Sequence, residues 1–160
     1  MVSQSVQELA VDLSQWLLQR GWQVVTAESC TGGGIGYAMS AIAGSSNWFA
    51  GGFITYSNEL KQRLVGVPAT TLSRYGAVSA ETAAAMAQGA LQHSGADLAI
   101  AVTGVAGPSG GTPEKPVGLV WFGLAWAEHC ITWSQQFEGD RAAIREATIA
   151  EALLSFKKIT

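Results

Sequence analysis

The stretch WQVVTAESCTGGG, residues 22–34, joins a short apolar run to three consecutive glycines, and an Ala- and Gly-rich stretch at 32–43 follows it. The apolar run predicts a buried strand, and the residues after it predict a turn into a helix. A strand that ends at Ser29 and turns into a helix places the serine hydroxyl at the carboxyl edge of a sheet, where ligands tend to lie in open α/β folds. The chain is therefore expected to build an α/β sheet with a site at this turn.

The remaining segments continue the alternation of strand and helix patterns. The first helix is expected to be capped by Ser3 or Ser5 and to end at Gly21. The run at 96–104 is continuously apolar, which is typical of a central strand. Further strands are predicted at 48–57, 117–127 and 130–137, and further helices at 57–66 (capped by Ser57 or Asn58), at 67–76 as one more turn, from Ser79 to about His93, and from the Asp140 cap onward.

The predicted order α-β-α-β-α-α-β-β-β-α indicates a mixed β-sheet with helices packed on both faces. Gly51 and Gly52 suggest a bulge or a close backbone approach in the second strand. The sequence contains no linker, internal repeat or low-complexity segment, so residues 1–160 are expected to form a single α/β domain.

Charge and cysteine usage narrow the classes of function. The net charge is −3 and the Lys and Arg residues are scattered, so a nucleic-acid partner is not expected. No apolar run approaches the length of a membrane span, and the first residues do not resemble a secretory signal. Two cysteines and two histidines without metal-type spacing predict a reduced cytoplasmic protein without metal or cofactor.

The turn after the first strand fits three interpretations: a phosphate-binding loop, a turn that carries a nucleophile, or a purely structural tight turn. The helix start offers backbone N–H groups to a phosphate or to a developing oxyanion. Known fingerprints fail here, because GxGxxG is incomplete, the P-loop lysine is missing, and Ala27 and Thr31 replace the glycines of GxSxG. By residue type alone, a structural helix cap at Ser29 or Thr31 is favoured over catalysis.

A catalytic serine needs a base, and the sequence offers few. His93 lies at the end of a helix and His129 in a hairpin turn, so both are expected at the surface. The alternative is Lys61 in TYSNELKQR, with Tyr56 nearby, provided that desolvation depresses the lysine pKa. Without other information, a helix lysine of this kind is more often solvated.

Cys30 is the competing nucleophile, since a helix N-terminus lowers a thiol pKa. We favour the interpretation that Cys30 is a small buried residue whose side chain points away from Ser29. A cysteine hydrolase would also lack a histidine partner. A dehydrogenase is disfavoured because Leu60 stands where a YxxxK motif requires lysine.

Five motifs, in order along nearly the whole chain, resemble the CinA C-terminal domain family. They are TAESCTGG, GSSNWFAGGFITYSNELK, GAVSAETA, VTGVAGPSGGTPEKPVGLVWFG and GDR. The stand-alone members of this family are nicotinamide-nucleotide amidohydrolases (NMN deamidases). The resemblance implies hydrolysis of the carboxamide of nicotinamide mononucleotide (NMN) to nicotinate mononucleotide and ammonia, in pyridine nucleotide recycling and without a metal.

The resemblance also implies roles for individual residues. The family's serine nucleophile falls on Ser29, its lysine on Lys61 and its tyrosine on Tyr56, which would relay a proton or orient the lysine. The glycine-rich loop at 103–111 is the expected anion site for the phosphate, with Arg141 as the added cation and Lys115 as a weaker candidate. The full set predicted to bind substrate is Cys30, Thr31, Gly32, Gly33, Asn58, Thr103, Gly104, Gly107 and Arg141.

Two further expectations concern the alternative function and assembly. A non-catalytic nucleotide-binding or regulatory module, linked to competence or DNA damage, is the alternative function. Six tryptophans and low charge favour a homodimer or higher homo-oligomer, although core packing explains most of the tryptophans equally well.

Overall fold

A computed structural model describes residues 2–159 and contains one mixed sheet with helices around it. Two short 3₁₀ turns, Ser45–Asn47 and Ser155–Lys158, complete the secondary structure of these residues. In chain order the elements are α1 (Gln4–Arg20), β1 (Val24–Glu28), α2 (Gly34–Ser40), β2 (Phe49–Ile54), α3 (Asn58–Val65), α4 (Ala69–Tyr75), α5 (Ala80–Ser94), β3 (Leu98–Gly104), β4 (Leu119–Trp126), β5 (His129–Gln136) and α6 (Arg141–Leu154).

The five strands lie in the order β2-β1-β3-β4-β5. The first three run parallel, whereas β4 and β5 form an antiparallel hairpin at one edge. The prediction of a central strand at 96–104 is confirmed, because β3 pairs on both sides. Since β1, β2 and β3 are parallel, their carboxyl ends meet at the same edge of the sheet.

Two apolar cores cover the two faces of the sheet. Val24, Leu98 and Ile100 point to one face and pack with α1, α2 and α6. Ala99 and Ala101 point to the other face and pack with the alanines of α5. This alternation follows from the period-2 geometry of a strand. The predicted α/β class, with a mixed sheet and helices on both faces, is confirmed.

Several local predictions are confirmed by hydrogen bonds. Ser3, Ser57, Ser79 and Asp140 cap α1, α3, α5 and α6, each with its side-chain oxygen accepting from a backbone N–H. The strand register shifts between Val24 and Val25 of β1, which produces the irregularity expected beside Gly51 and Gly52.

The predicted number of helices and one predicted boundary are wrong. Residues 67–76, predicted as one further helical turn, contain the separate helix α4, so three helices rather than two lie between β2 and β3. The helix predicted at 32–43 spans only Gly34–Ser40. It starts later than predicted because Gly32 and Gly33 adopt positive φ angles of 58° and 100° and form the turn. None of the helices within residues 2–159 combines the length and apolarity that a membrane crossing requires.

Candidate active site

A cleft of about 390 Å³ opens at the carboxyl edge of the sheet, between the ends of β1 and β3 and the starts of α3 and α6. Nine of the twelve predicted site residues line it. They are Ser29, Cys30, Tyr56, Asn58, Lys61, Thr103, Gly104, Gly107 and Arg141. The other three, Thr31, Gly32 and Gly33, lie in the turn after β1 and are not among the residues that line the cleft.

The side chains of Ser29 and Lys61 meet in this cleft. Lys61 Nζ lies 3.0 Å from Ser29 Oγ, and the two residues are 1% and 8% exposed, respectively. Ser29 follows β1 directly, and Lys61 closes the first turn of α3. Because helical side chains lean toward the helix N-terminus, Lys61 reaches back to the sheet edge from which its helix departs.

Two backbone carbonyls complete the surroundings of the lysine amine. Nζ lies 2.8 Å from the Thr55 carbonyl oxygen and 3.1 Å from that of Tyr56. Within residues 2–159 no acidic side chain forms an ion pair with Lys61. Burial lowers the lysine pKa from 10.5 to about 8, against a smaller opposing effect of Cys30.

This geometry suits a neutral amine as a base. A neutral lysine carries two N–H donors and one lone pair, and two carbonyl oxygens are present to accept the donors. The lone pair is then directed at the Ser29 hydroxyl, which can donate its proton. In the charged form the ammonium instead donates to Ser29 Oγ as well as to the two carbonyls.

The turn that carries Ser29 is held by two ionisable residues that the sequence analysis did not identify. The carboxylate of Glu28 accepts four hydrogen bonds from residues on either side of the turn. From α6, Arg145 donates through Nε to the Cys30 carbonyl and through Nη2 to the Thr31 carbonyl, both at 3.1 Å. The sequence did contain a signal for Glu28, since a charged residue at the end of an apolar strand indicates a specific role. No local signal indicated Arg145, which lies 115 residues from Cys30.

Tyr56 and Arg141 meet at the mouth of the cleft. Arg141 Nη2 donates to the Tyr56 hydroxyl at 3.2 Å, and Nη1 donates to the Gly107 carbonyl at 2.7 Å. Tyr56 is 59% exposed, and it contacts Lys61 through its backbone carbonyl rather than its phenol. The carbonyl therefore orients the lysine, whereas a proton relay through the phenol stays a prediction.

The remaining predicted substrate residues lie along the walls and rim. Thr103 is buried and donates its hydroxyl to the Ala77 carbonyl at 2.9 Å. Asn58 is exposed at the first position of α3. Gly104 admits no side chain, because a Cβ there would come within 2.6 Å of Val120. Lys115 donates to the Tyr75 carbonyl and is not among the residues that line the cleft.

The other candidate nucleophile and bases fit the site poorly. Cys30 is 5% exposed, and burial raises its pKa to about 11, which keeps it a thiol near neutral pH. His93 and His129 are exposed, and neither lines the cleft. In the part of the chain that the structure describes, no group of three His, Cys, Asp or Glu side chains is arranged to hold a metal ion.

Comparison with known proteins gives consistent results. A model of the CinA C-terminal domain matches residues 6–160. A protein of Enterobacter agglomerans named nicotinamide-nucleotide amidohydrolase PncC is 51% identical over 91% of this chain and 89% of its own length. The protein of the same name from Escherichia coli K12 is 47% identical over 96% of this chain and 93% of its own length. The crystal structure of the competence/damage inducible protein CihA from Agrobacterium tumefaciens superposes with a TM-score of 0.95, at 42% identity, over 99% of this chain and 97% of that one.

Proposed function

The chain belongs to the CinA C-terminal domain family, and we propose that it hydrolyses the carboxamide of NMN to nicotinate mononucleotide and ammonia through a serine acyl-enzyme. The observation that carries this proposal is the 3.0 Å contact between Lys61 Nζ and Ser29 Oγ in a buried cleft. The name nicotinamide-nucleotide amidohydrolase, which relatives about half identical to this chain carry, supports the substrate class and the reaction, and a place in pyridine nucleotide recycling is part of the proposal. The predicted cytoplasmic location stays a prediction.

The acylation step uses Ser29 as nucleophile and Lys61 as base. As Ser29 Oγ attacks the carboxamide carbon, its proton passes to the neutral amine of Lys61. The resulting ammonium then donates that proton to the departing nitrogen, so ammonia leaves and a nicotinoyl ester remains on Ser29. A water molecule, deprotonated by the same amine, hydrolyses the ester and restores the serine.

Backbone N–H groups of the turn are the candidate oxyanion donors. In a trans peptide, a carbonyl and the following N–H point in opposite directions. The Ser29 carbonyl accepts from Gly32 N at 3.0 Å, and the Cys30 carbonyl accepts from Arg145 Nε at 3.1 Å. The N–H groups of Cys30 and Thr31 therefore point away from these partners. Loss of one oxyanion donor typically costs about 2.7–4 kcal/mol of barrier.

The far end of the cleft is suited to the phosphate. The glycine-rich loop at 103–111 lines the cleft there and is the candidate source of backbone donors, and the guanidinium of Arg141 adds a positive charge. Arg141 is exposed at the start of α6, and it is held near the loop by its bond to the Gly107 carbonyl. A fixed guanidinium suits recognition of a phosphate, since its donors can pair with two phosphate oxygens. The hydroxyl of Thr103 and the amide of Asn58 remain the candidates for the ribose or the carboxamide.

A non-catalytic regulatory module is the alternative. It is favoured only by the words competence and damage-inducible in the names of several similar proteins. Burying a lysine amine costs free energy, and a desolvated amine against a serine hydroxyl is the arrangement expected of a base beside its nucleophile. The Ser29–Lys61 contact therefore favours the enzyme.

A product assay tests the proposal directly. The purified chain is incubated with NMN, nicotinamide riboside or NAD, and ammonia and the deamidated product are quantified. We expect turnover of NMN, slower turnover of the riboside, and none in a folded Ser29→Ala variant. Tight NMN binding without ammonia release would favour the regulatory module, and turnover of the riboside equal to that of NMN would remove the phosphate site from the proposal.

A further inference from the structure

The carboxylate of Glu28 is buried at the base of the Ser29 turn. Its residue is 2% exposed, and both oxygens are saturated with donors. Oε1 accepts from the Thr31 hydroxyl at 2.7 Å and from Ile35 N at 2.9 Å. Oε2 accepts from the Thr26 hydroxyl at 3.3 Å and from Gly36 N at 2.9 Å. One side chain therefore joins β1, the turn and the first turn of α2.

The backbone of the same residue supports the lysine side of the site. The Glu28 carbonyl accepts from Thr55 N at 2.7 Å and from the Thr55 hydroxyl at 3.3 Å. The Thr55 carbonyl in turn accepts from Lys61 Nζ at 2.8 Å. Glu28 thus contacts the turn that carries Ser29 and the residue that accepts from Lys61, without touching either reacting atom.

Helix capping alone does not explain a buried carboxylate here. The chain caps α1, α3 and α5 with the hydroxyls of Ser3, Ser57 and Ser79, each three residues before the N–H that it accepts from. Burying a carboxylate is far more costly than placing such a hydroxyl. What Glu28 adds is a connection across the turn, because its donors lie both before and after Ser29.

We propose that Glu28 is a positioning residue: its carboxylate holds the turn at residues 29–36 so that the Ser29 hydroxyl stays within reach of Lys61. This inference rests on the proposed function. Nucleophilic attack requires near-contact geometry, and a displacement of about 1 Å can cost about 100-fold in rate. The effect is on the chemical step, since the phosphate end of the cleft is built from the loop at 103–111 and from Arg141.

Two threonines provide a matched test. Thr31→Val and Thr26→Val are isosteric changes that each remove one hydroxyl from Glu28, and both residues are fully buried. Thr31 belongs to the turn, whereas Thr26 lies in a strand paired on both sides. We expect Thr31→Val to lower kcat about tenfold or more with KM within about twofold, and Thr26→Val to leave both within about twofold.

Glu28→Gln is the stronger variant. An amide can accept at only one of the two positions, so either Ile35 N or Gly36 N would face an NH₂ group. We expect a loss of about 100-fold in kcat, again without a matching change in KM. If this variant does not fold, the two threonine variants alone test the positioning role of Glu28.

A second measurement separates this inference from the proposed substrate. A small fluorophosphonate forms an Oγ–P bond with an activated serine and releases fluoride, and the intact protein mass reports the rate. The phosphonylation rate of Ser29 is expected to fall about tenfold in Thr31→Val and to hold in Thr26→Val. Thermal unfolding of both variants shows whether they have lost similar stability.

The outcomes are distinct. Equal kcat and phosphonylation rates in the two threonine variants, or full kcat in a folded Glu28→Gln, would overturn the positioning role. A wild-type chain that is phosphonylated on Ser29 but releases no ammonia from NMN would contradict the proposed function, and the phosphonylation rates would still test Glu28. A wild-type Ser29 inert to both reagents would overturn both.

Discussion

At the residue scale, two neighbouring side chains in the cleft have different surroundings and therefore different reactivity. Ser29 and Cys30 are adjacent, yet Ser29 Oγ contacts a lysine whose pKa burial lowers to about 8, whereas burial raises the pKa of Cys30 to about 11. The serine is therefore beside a competent base near neutral pH, and the cysteine stays protonated.

Ser29→Ala is expected to lower NMN deamidation by at least about 1,000-fold while the fold is retained, because no acyl-ester can form. Cys30→Ala should keep most of the activity. Ammonia release, with circular dichroism as the control for folding, measures both. Substantial activity in a folded Ser29→Ala protein would contradict the assignment.

Substitution of Lys61 should change the pH profile as well as the rate. In wild type, kcat/KM is expected to rise with pH through an ionisation near 8, because the neutral amine is the active form. The cationic nicotinamide ring should move the corresponding ionisation in kcat to lower pH. Lys61→Ala should remove this limb and nearly all activity, and Lys61→Arg should not restore it.

The exposed histidines give the control for this assignment. A folded double variant, His93→Ala with His129→Ala, is expected to keep the wild-type profile, since neither residue lines the cleft. Loss of activity in that variant, or an active Lys61→Ala enzyme, would point to a different base.

Arg141→Ala should weaken turnover of NMN more than that of nicotinamide riboside, because only NMN carries the phosphate. We expect kcat/KM for NMN to fall about tenfold or more beyond the change for the riboside. Tyr56→Phe is the comparison variant, since it removes the hydroxyl that Arg141 contacts and leaves the guanidinium in place, so any loss should be the same for NMN and the riboside. The same factor lost with both substrates would show that Arg141 does not bind the phosphate.

At the element scale, the position of Lys61 depends on how closely α3 packs against α5. The helices touch at Gly89, where a Cβ would overlap the Val65 carbonyl oxygen. Val65 ends α3, one turn after Lys61. The closeness of the two helices therefore fixes how far the lysine reaches toward the sheet edge.

Gly89→Ala should lower both stability and activity. In an isolated helix, this change would stabilise by about 1 kcal/mol. Here we expect net destabilisation of about 1–3 kcal/mol, because α3 must move away from α5, together with a lower kcat. Denaturant unfolding and NMN turnover measure the two effects. Gln88→Ala, exposed on the same helix, serves as the control, and a stabilised Gly89→Ala protein would contradict this packing argument.

At the scale of the whole molecule, the buried lysine couples catalysis to stability. Its pKa is about 8 in the folded protein and 10.5 as the reference for the unfolded chain. Between these values the unfolded chain binds more protons than the folded one, so the free energy of unfolding rises with pH through this window. Below about pH 8 the folded protein bears the full cost of a buried ammonium.

Lys61→Met should abolish this pH dependence. The free energy of unfolding of wild type minus that of Lys61→Met is expected to increase by at most roughly 3 kcal/mol from pH 8 to 10.5. Denaturant titrations at several pH values measure it, with exposed Lys157→Met as the control for the loss of one charge. A difference that is flat or falls with pH would mean that Lys61 titrates normally in the folded protein.

The tryptophans do not by themselves indicate that the chain forms an oligomer. Trp48 is buried in the core. Four further tryptophans are partly buried and pack against this core: Trp16, Trp22, Trp126 and Trp133. These five tryptophans already have partners within the chain, so their number is no argument for an interface. The homodimer or higher oligomer stays a prediction, which light scattering can check.

The sequence by itself determined the features that depend on neighbours along the chain. Strand and helix periodicity predicted the mixed sheet, and serine and aspartate before apolar periodic runs predicted the caps of α1, α3, α5 and α6. The resemblance of whole motifs then selected Ser29 and Lys61 from residues that, by type alone, suggested a cap and a solvated lysine.

Only the tertiary structure decided how those residues meet. The pKa of Lys61 depends on burial by segments remote in sequence, and no local pattern encodes that burial. No local pattern encodes the contacts of Arg145 either, which reaches the Ser29 turn from 115 residues away. The Tyr56 phenol likewise pairs with the distant Arg141 rather than with the lysine. Periodicity reports which face of an element is apolar, but desolvation and hydrogen-bond partners at a sheet edge arise only when distant segments pack together.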